Sequence, residues 1–469
     1  MLRLQIPYQH IRPRCKLNWS RRKKMSISVS VRKSSPAIIR PPEPVTASGT
    51  SIKLTPLDWV FVHVPITALF VFEHPCHDAA ETIKRALSQA LIHYSPFAGR
   101  ISDAGGDGLS IRCSGEGVEF VAASADCGLQ EAKIFEELTD SGTKALLDEL
   151  AVTYPPGRYN SGGVDDDPLL SVQVTEFSCG GLVLGVTWGH AVADGVGMAQ
   201  LLIAVGELAR GSPSPSVAPV RWDGAVSGLP PMFDPVPHAI MACPEPSPDL
   251  ELVVPLDVTV PSALISHVKA ESSSSRSSSS FFSGGPCTAF EAVLAVLWRC
   301  RVRATMSDDP GTPVYLTFPA DIRRHVGAKD GYYGNCGVNQ LLAGAATTSG
   351  AVASAGLAEL AGMIRRAKDQ LPEKVRGGGG GGEMMRGLRG RYDLLHVSSW
   401  RNLGFERVDL GSGAPARVMT HWPGGTPSVP ICMVYPPSKG KDGVNVLSIS
   451  MRQEHADAFL NELANLCRA

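Results

Sequence analysis

No Cys-x-x-Cys pair occurs anywhere in this chain of 469 residues, and its eleven cysteines keep no regular spacing. An odd, unpatterned set argues against a disulfide framework or a structural zinc site, so the thiols read as small buried residues in a reducing compartment. No apolar run approaches the ~18 residues that a membrane-spanning helix needs. Charge is scarce, at 19% of residues, and it is unevenly placed. The first 40 residues hold 11 Lys or Arg and no Asp or Glu, which leaves 33 basic and 45 acidic residues, a balance of −12, in the remainder. A body that acidic is a poor match for nucleic acid, whose phosphates demand a basic surface.

What is present is a soluble-type composition, 43% apolar, in a chain long enough for two domains of roughly 200 residues. Residues 1–24 are basic, poor in Ser and closed by Arg21-Arg22-Lys23-Lys24 before Met25. They read as an extension outside the fold, with a targeting signal as the alternative. Residues 211–247 are rich in Pro, Ser and Gly and show little periodicity, which marks a crossover between a unit at 25–210 and another at 248–469. The tracts Ser272–Ser280 and Gly377–Gly382 read as surface loops, and the glycine run lacks the Lys-Ser/Thr ending of a phosphate-binding loop.

Strands and helices alternate in both halves. Alternation over Ser26–Val31 predicts a strand, followed by a Pro-rich linker at 36–44. Helical spacing predicts helices over Ala79–Tyr94, Val196–Leu208 and 288–303, and apolar runs predict strands over Leu182–Trp188 and Val314–Phe318. Such alternation implies α/β layers with helices packed over sheets.

The segment Val186-Thr187-Trp188-Gly189-His190-Ala191-Val192-Ala193-Asp194-Gly195 carries the chemistry. A buried strand ends, a turn of small residues follows and an apolar helix begins, so His190 sits at the end of a rigid element with its ring free to face a crevice. Asp194 falls at the helix start. Taken alone, His190 could be a satisfied core histidine and Asp194 only an N-cap. The His74/Cys76/His77 group and Asp165-Asp166-Asp167 invite a metal reading, but neither has zinc-like spacing or a distant partner pair, and no metal is expected.

The segment resembles the His-x-x-x-Asp-Gly motif of the plant BAHD acyltransferases, within the chloramphenicol-acetyltransferase-like superfamily. Six further stretches resemble that family in order: Thr55-Pro56-Leu57-Asp58, His93 to Arg100, Cys287 to Glu291 with Leu297-Trp298-Arg299, Asp321-Ile322-Arg323-Arg324, Tyr332-Tyr333-Gly334-Asn335 and Ser398-Ser399-Trp400. The resemblance runs from about Ser26 to the C-terminus. It implies two chloramphenicol-acetyltransferase-like domains, each a mixed sheet flanked by helices, with a channel between them. It also implies transfer of an acyl group from acyl-CoA to a hydroxyl or amine of a small molecule, with no covalent enzyme intermediate and no bound cofactor. His190 would be the general base. Asp194 would pair with Arg323 and hold the histidine loop rather than relay a proton. Ser398 would donate to the tetrahedral oxyanion, and Trp400 would line the pocket.

The family's second motif, Asp-Phe-Gly-Trp-Gly, reads Asp409-Leu410-Gly411-Ser412-Gly413 here. Asp409, Gly411 and Gly413 allow the turn to persist, while loss of the aromatic pair implies less packing near the CoA side of the channel. A relative that has lost catalysis and acts by binding is therefore the alternative, with a condensation-type domain as a second rival. The expectations are a cytoplasmic monomer acting on a small plant metabolite, without nucleic acid or membrane, and a hydroxycinnamoyl or other aromatic donor.

Overall fold

The computed structural model describes residues 29–43, 51–103, 109–136, 141–154, 167–221, 226, 250, 252–274, 286–305, 309–377, 387–388, 390–422 and 429–468. The extension 1–24, most of the crossover, Asp165, Asp166 and Gly378–Gly382 lie outside them.

Two large mixed sheets organise the chain. The first runs in the order Val31–Lys33, Val118–Ala125, Leu170–Phe177, Leu182–Gly189, Pro65–Phe72 and Arg417–His421. Only Val118–Ala125 and Leu170–Phe177 pair in parallel there; the other neighbours are antiparallel. The second runs Val253–Val260, Val444–Arg452, Ile431–Tyr435, Leu394–Ser399, Tyr315–Asp321 and Gly337–Leu342, with Leu394–Ser399 parallel to both its neighbours. A small sheet joins Ser51–Lys53, Leu109–Arg112 and Arg100–Asp103.

Leu182–Gly189 is buried along its whole length because both faces of its sheet are covered. The helices Ala79–His93 and Gly195–Ala209 close one face, packing with Phe70, Leu184, Val186 and Trp188. The helix Ser141–Glu149 closes the other, where Leu146, Leu147 and Leu150 meet Leu69, Val71 and Val183. A strand enclosed in this way reads as a continuous apolar run rather than an alternation. Burying each large side chain stabilises the fold by roughly 1.5–3 kcal/mol. In the second half, the helix Ala289–Thr305 buries eleven of its residues, Val293, Leu294, Leu297 and Trp298 among them.

Several boundaries differ from the sequence reading. The division at 211–247 is not a division between sheets, because Arg417–His421 crosses back and pairs with Pro65–Phe72 of the first sheet. The crossing strand covers an edge that would otherwise present unpaired backbone groups. Buried Arg417 pins it, donating to Asp257 Oδ2 at 2.6 Å and to the carbonyls of Ile134 and Glu136 at 2.8 Å. Of the strand expected over Ser26–Val31, residues 26–28 lie outside the described residues; the described N-terminal strand is Val31–Lys33, and the Pro-rich linker contains the short strand Ala37–Ile39. Of the tract Ser272–Ser280 read as a loop, Ser272, Ser273 and Ser274 form the last turn of the helix Ser262–Ser274, and residues 275–280 lie outside the described residues. Cys179 and Cys467 are exposed, against the expectation of burial, because each lies in a solvent-facing turn or terminal helix end. Among the described residues, no helix is long and apolar enough to cross a membrane.

Candidate active site

The strand Leu182–Gly189 delivers His190 to a cavity of about 210 Å³ lined from both sheets. His190 follows the strand directly, and its own N–H donates to the Val64 carbonyl at 2.8 Å, fixing the turn. The Phe61 ring stacks on the imidazole with centroids 4.1 Å apart. Nδ1 has no accessible surface and no hydrogen-bond partner among the described residues. Nε2 is thus the ring nitrogen that meets the cavity. Burial holds the imidazole pKa below its ordinary 6.5, against the raising influence of its own backbone carbonyl, Asp194, Asn335 and Asp58. The ring is therefore neutral at pH 7, and Nε2 is able to accept a proton.

The Asp194 carboxylate is engaged by partners other than that ring. It is the N-cap of the helix Gly195–Ala209, accepting from the Gly197 N–H at 3.0 Å. Arg323 Nη2 donates to both of its oxygens at 2.8 Å, and the Cys336 N–H donates to Oδ2 at 3.1 Å. Arg323 also donates to the carbonyls of Tyr332 and Gly334, so one guanidinium joins the histidine loop to the second half of the chain. The helix lies tight against that half: a Cβ on Gly197 would stand 1.9 Å from the Tyr333 carbonyl oxygen, so only glycine fits.

A second network supports the histidine from below. Asn335 Nδ2 donates to the His190 carbonyl at 2.8 Å and to Asp58 Oδ1 at 2.9 Å. Asp58 closes a capping box with Thr55 and forms a fully buried ion pair with Arg221 at 3.1 Å. Arg221 in turn donates to the Ala191 carbonyl at 3.3 Å. Arg221 falls within the stretch read as a linker, where no pattern signalled it. Phe61 was equally silent, one aromatic among apolar residues. Asp58 and Asn335 were legible only as members of familiar stretches.

Ser398, Trp400, Gly195 and Arg323 all line the cavity with His190 and Asp194. Trp400 stacks on Phe405 at 5.1 Å and leans toward Trp188 at 6.3 Å, so one wall is aromatic. Asp409, Gly411 and Gly413 are not brought there, and no residue of 409–413 lines the cavity. Their turn persists: Asp409 Oδ1 accepts from the N–H groups of Gly411 and Gly413 at 2.9 Å, and both glycines hold positive φ, +100° and +82°. The turn packs on the far end of the His190-proximal helix, where a Cβ on Gly206 would meet the Asp409 carbonyl at 2.3 Å. Loss of the aromatic pair bears on that helix end rather than on the cavity wall. Among the described residues, no group of His, Cys, Asp and Glu is gathered as a metal site would require.

Two sheet-rich halves close on a histidine-bearing cavity, an arrangement of the chloramphenicol-acetyltransferase-like fold type. Residues 29–465 match the model of the Transferase family. The chain is 43% identical to "Acyl transferase 15" of Oryza sativa subsp. japonica, over 94% of this chain and 99% of that protein. It is 33% identical to "Myricetin 3-O-glucosyl 1,2-rhamnoside 6'-O-caffeoyltransferase AT2" of Crocosmia x crocosmiiflora, covering 93% and 99%. Its fold is similar to vinorine synthase, with TM-score 0.69 at 22% identity over 93% and 98% of the two chains. F. sporotrichioides TRI101, complexed with coenzyme A and T-2, gives TM-score 0.64 at 18% identity over 88% and 97%. The chain belongs to the Transferase family of BAHD acyl-CoA acyltransferases, and it is an acyltransferase.

Proposed function

We propose that this enzyme transfers an aromatic acyl group from CoA to a hydroxyl of a small plant metabolite, with Nε2 of His190 as general base. The observation that carries the reading is a neutral imidazole held at the cavity wall with one nitrogen sealed and the other open. The acceptor hydroxyl gives its proton to Nε2 as its oxygen attacks the thioester carbonyl. The tetrahedral oxyanion collapses and expels the CoA thiolate, which recovers the proton. Base catalysis of this kind is worth roughly 10²- to 10⁴-fold.

Ser398 supplies the hydroxyl aimed at the developing oxyanion, and Trp188, Trp400 and Trp422 make the wall against which a flat acyl group packs. Asp194 and Arg323 hold the loop. The aromatic donor is supported by that wall and by the caffeoyl group named for the Crocosmia relative. The CoA thioester is supported by family membership and by the coenzyme A named with the TRI101 structure. The test is thiol release from a panel of aliphatic and aromatic acyl-CoAs with a mixed alcohol and amine pool. The reading expects the fastest release with an aromatic donor and an alcohol. Release confined to short aliphatic donors would overturn the donor class, and no release from any donor would favour a relative that only binds.

A further inference from the structure

One end of the cavity holds a second histidine that the proposed transfer does not use. His421 ends the crossing strand Arg417–His421 and lies opposite Thr67, which lies opposite Thr187 in the strand leading to His190. Two inter-strand steps of ~4.8 Å set its backbone about 10 Å from that strand, the span of one aromatic ring and its linker. His421 lines the cavity, and its Nε2 donates to Asp148 Oδ1 at 2.7 Å. A carboxylate only accepts, so Nε2 carries the hydrogen, and in the neutral ring Nδ1 is a bare acceptor. Burial, with Lys144 nearby, holds the pKa below its ordinary value against the opposing pull of Asp148.

The hydroxyls nearby are already engaged. Thr67 and Thr187 bond each other at 2.9 Å, Thr187 donates to the Val152 carbonyl at 2.7 Å, and Thr420 is bonded to the Tyr435 hydroxyl. Among the described residues, Nδ1 of His421 has no such partner. An imidazole clamped by a carboxylate, with its acceptor nitrogen left for a cavity walled by tryptophans, is built to recognise a hydrogen-bond donor on an otherwise apolar substrate.

We propose that His421 is a specificity-determining residue whose Nδ1 accepts the hydrogen of a hydroxyl on the bound aromatic substrate, with Asp148 as its positioning residue. The hydroxyl belongs either to the acyl group or to the acceptor, and the chemistry is the same in both cases. The choice of substrates rests on the transfer reading above.

The test uses pairs of probes that differ by one hydroxyl: 4-coumaroyl-CoA against cinnamoyl-CoA, and 4-hydroxybenzyl alcohol against benzyl alcohol. The full chain is compared with His421→Leu, His421→Gln and Asp148→Ala. In one arm, wild type favours the hydroxylated member in kcat/KM by about tenfold, the worth of one hydrogen bond. His421→Leu brings that ratio near one by lowering the rate on the hydroxylated member more than on the hydroxyl-free one. His421→Gln, which retains an acceptor, keeps part of the preference, and Asp148→Ala loses part of it. The arm in which the ratio collapses identifies the source of the hydroxyl. Calorimetric binding of the two acyl-CoAs and the two alcohols gives the same comparison without turnover, so failure of the transfer reading is seen separately. A preference that His421→Leu leaves intact in both arms, or an equal loss on both members, overturns the proposal. So does the lack of any hydroxyl-dependent difference in wild type by either measure.

Discussion

Replacing Asp194 with Asn separates scaffold from relay. The carboxylate receives the Gly197 and Cys336 N–H groups and Arg323 Nη2 on both oxygens, with the two ionised side chains 18% and 16% exposed. The amide keeps the shape and one acceptor for the helix cap but leaves Arg323, beside the Tyr332 and Gly334 carbonyls, with Asp321 as its carboxylate, at 3.4 Å and on the more exposed side. Breaking a buried pair costs roughly 3–5 kcal/mol, and partial exposure puts this one at the lower end, about 3 kcal/mol. Asp194→Ala loses the cap as well, about 1 kcal/mol more. Thermal melting and steady-state kcat well below the melting point are the assays. The expected result is a melting temperature lowered by several degrees, with kcat in the folded protein reduced less than about tenfold. The double variant Asp194→Asn/Arg323→Gln should cost less than the sum of the two single changes, since both remove one interaction. A thousandfold loss of kcat at unchanged stability would instead make Asp194 a proton relay.

Three further outcomes follow. Asp58→Ala strands the buried Arg221 guanidinium and should destabilise the fold by roughly 3–5 kcal/mol, read by melting; a variant as stable as wild type would sink the second network. The acid limb of kcat/KM should fall below pH 6.5, because burial lowers the His190 pKa and the base is lost only when it protonates; a limb above 7 would contradict that. Buried His396 has its pKa lowered to about 4, so the unfolded chain binds the extra proton first. Stability should therefore decline as pH drops from 6.5 to about 4, by roughly 3 kcal/mol, and level off below. His396→Leu should flatten that part of the acid-unfolding curve relative to wild type.

Local pattern made the heart of the site legible. The strand and helix around His190 are read within a residue or two of Leu182–Gly189 and Gly195–Ala209, because a continuous apolar run and a turn of small residues carry their own signal. Asp194 with Arg323 was legible through resemblance, since 129 positions separate them. What stayed hidden depends on pairing at a distance. Nothing in Arg417–His421 announces a partner in the other half of the chain, and a Pro-Ser-Gly composition concealed Arg221. His421 and Asp148 belong to no familiar stretch, and only the crossing strand brings them together. The start of the serine tract misled because Ser is a poor helix former, yet Ser272 is buried against the fold and Ser272–Ser274 carry the helix through its last turn.

Single-turnover acyl transfer by His190→Ala decides whether Nε2 of His190 takes the acceptor's proton. With melting temperature and acyl-CoA binding matched to wild type, the expected rate is lower by roughly 10²- to 10⁴-fold and no longer depends on pH between 5 and 7. A variant that binds acyl-CoA and transfers the acyl group within a few-fold of the wild-type rate would contradict it.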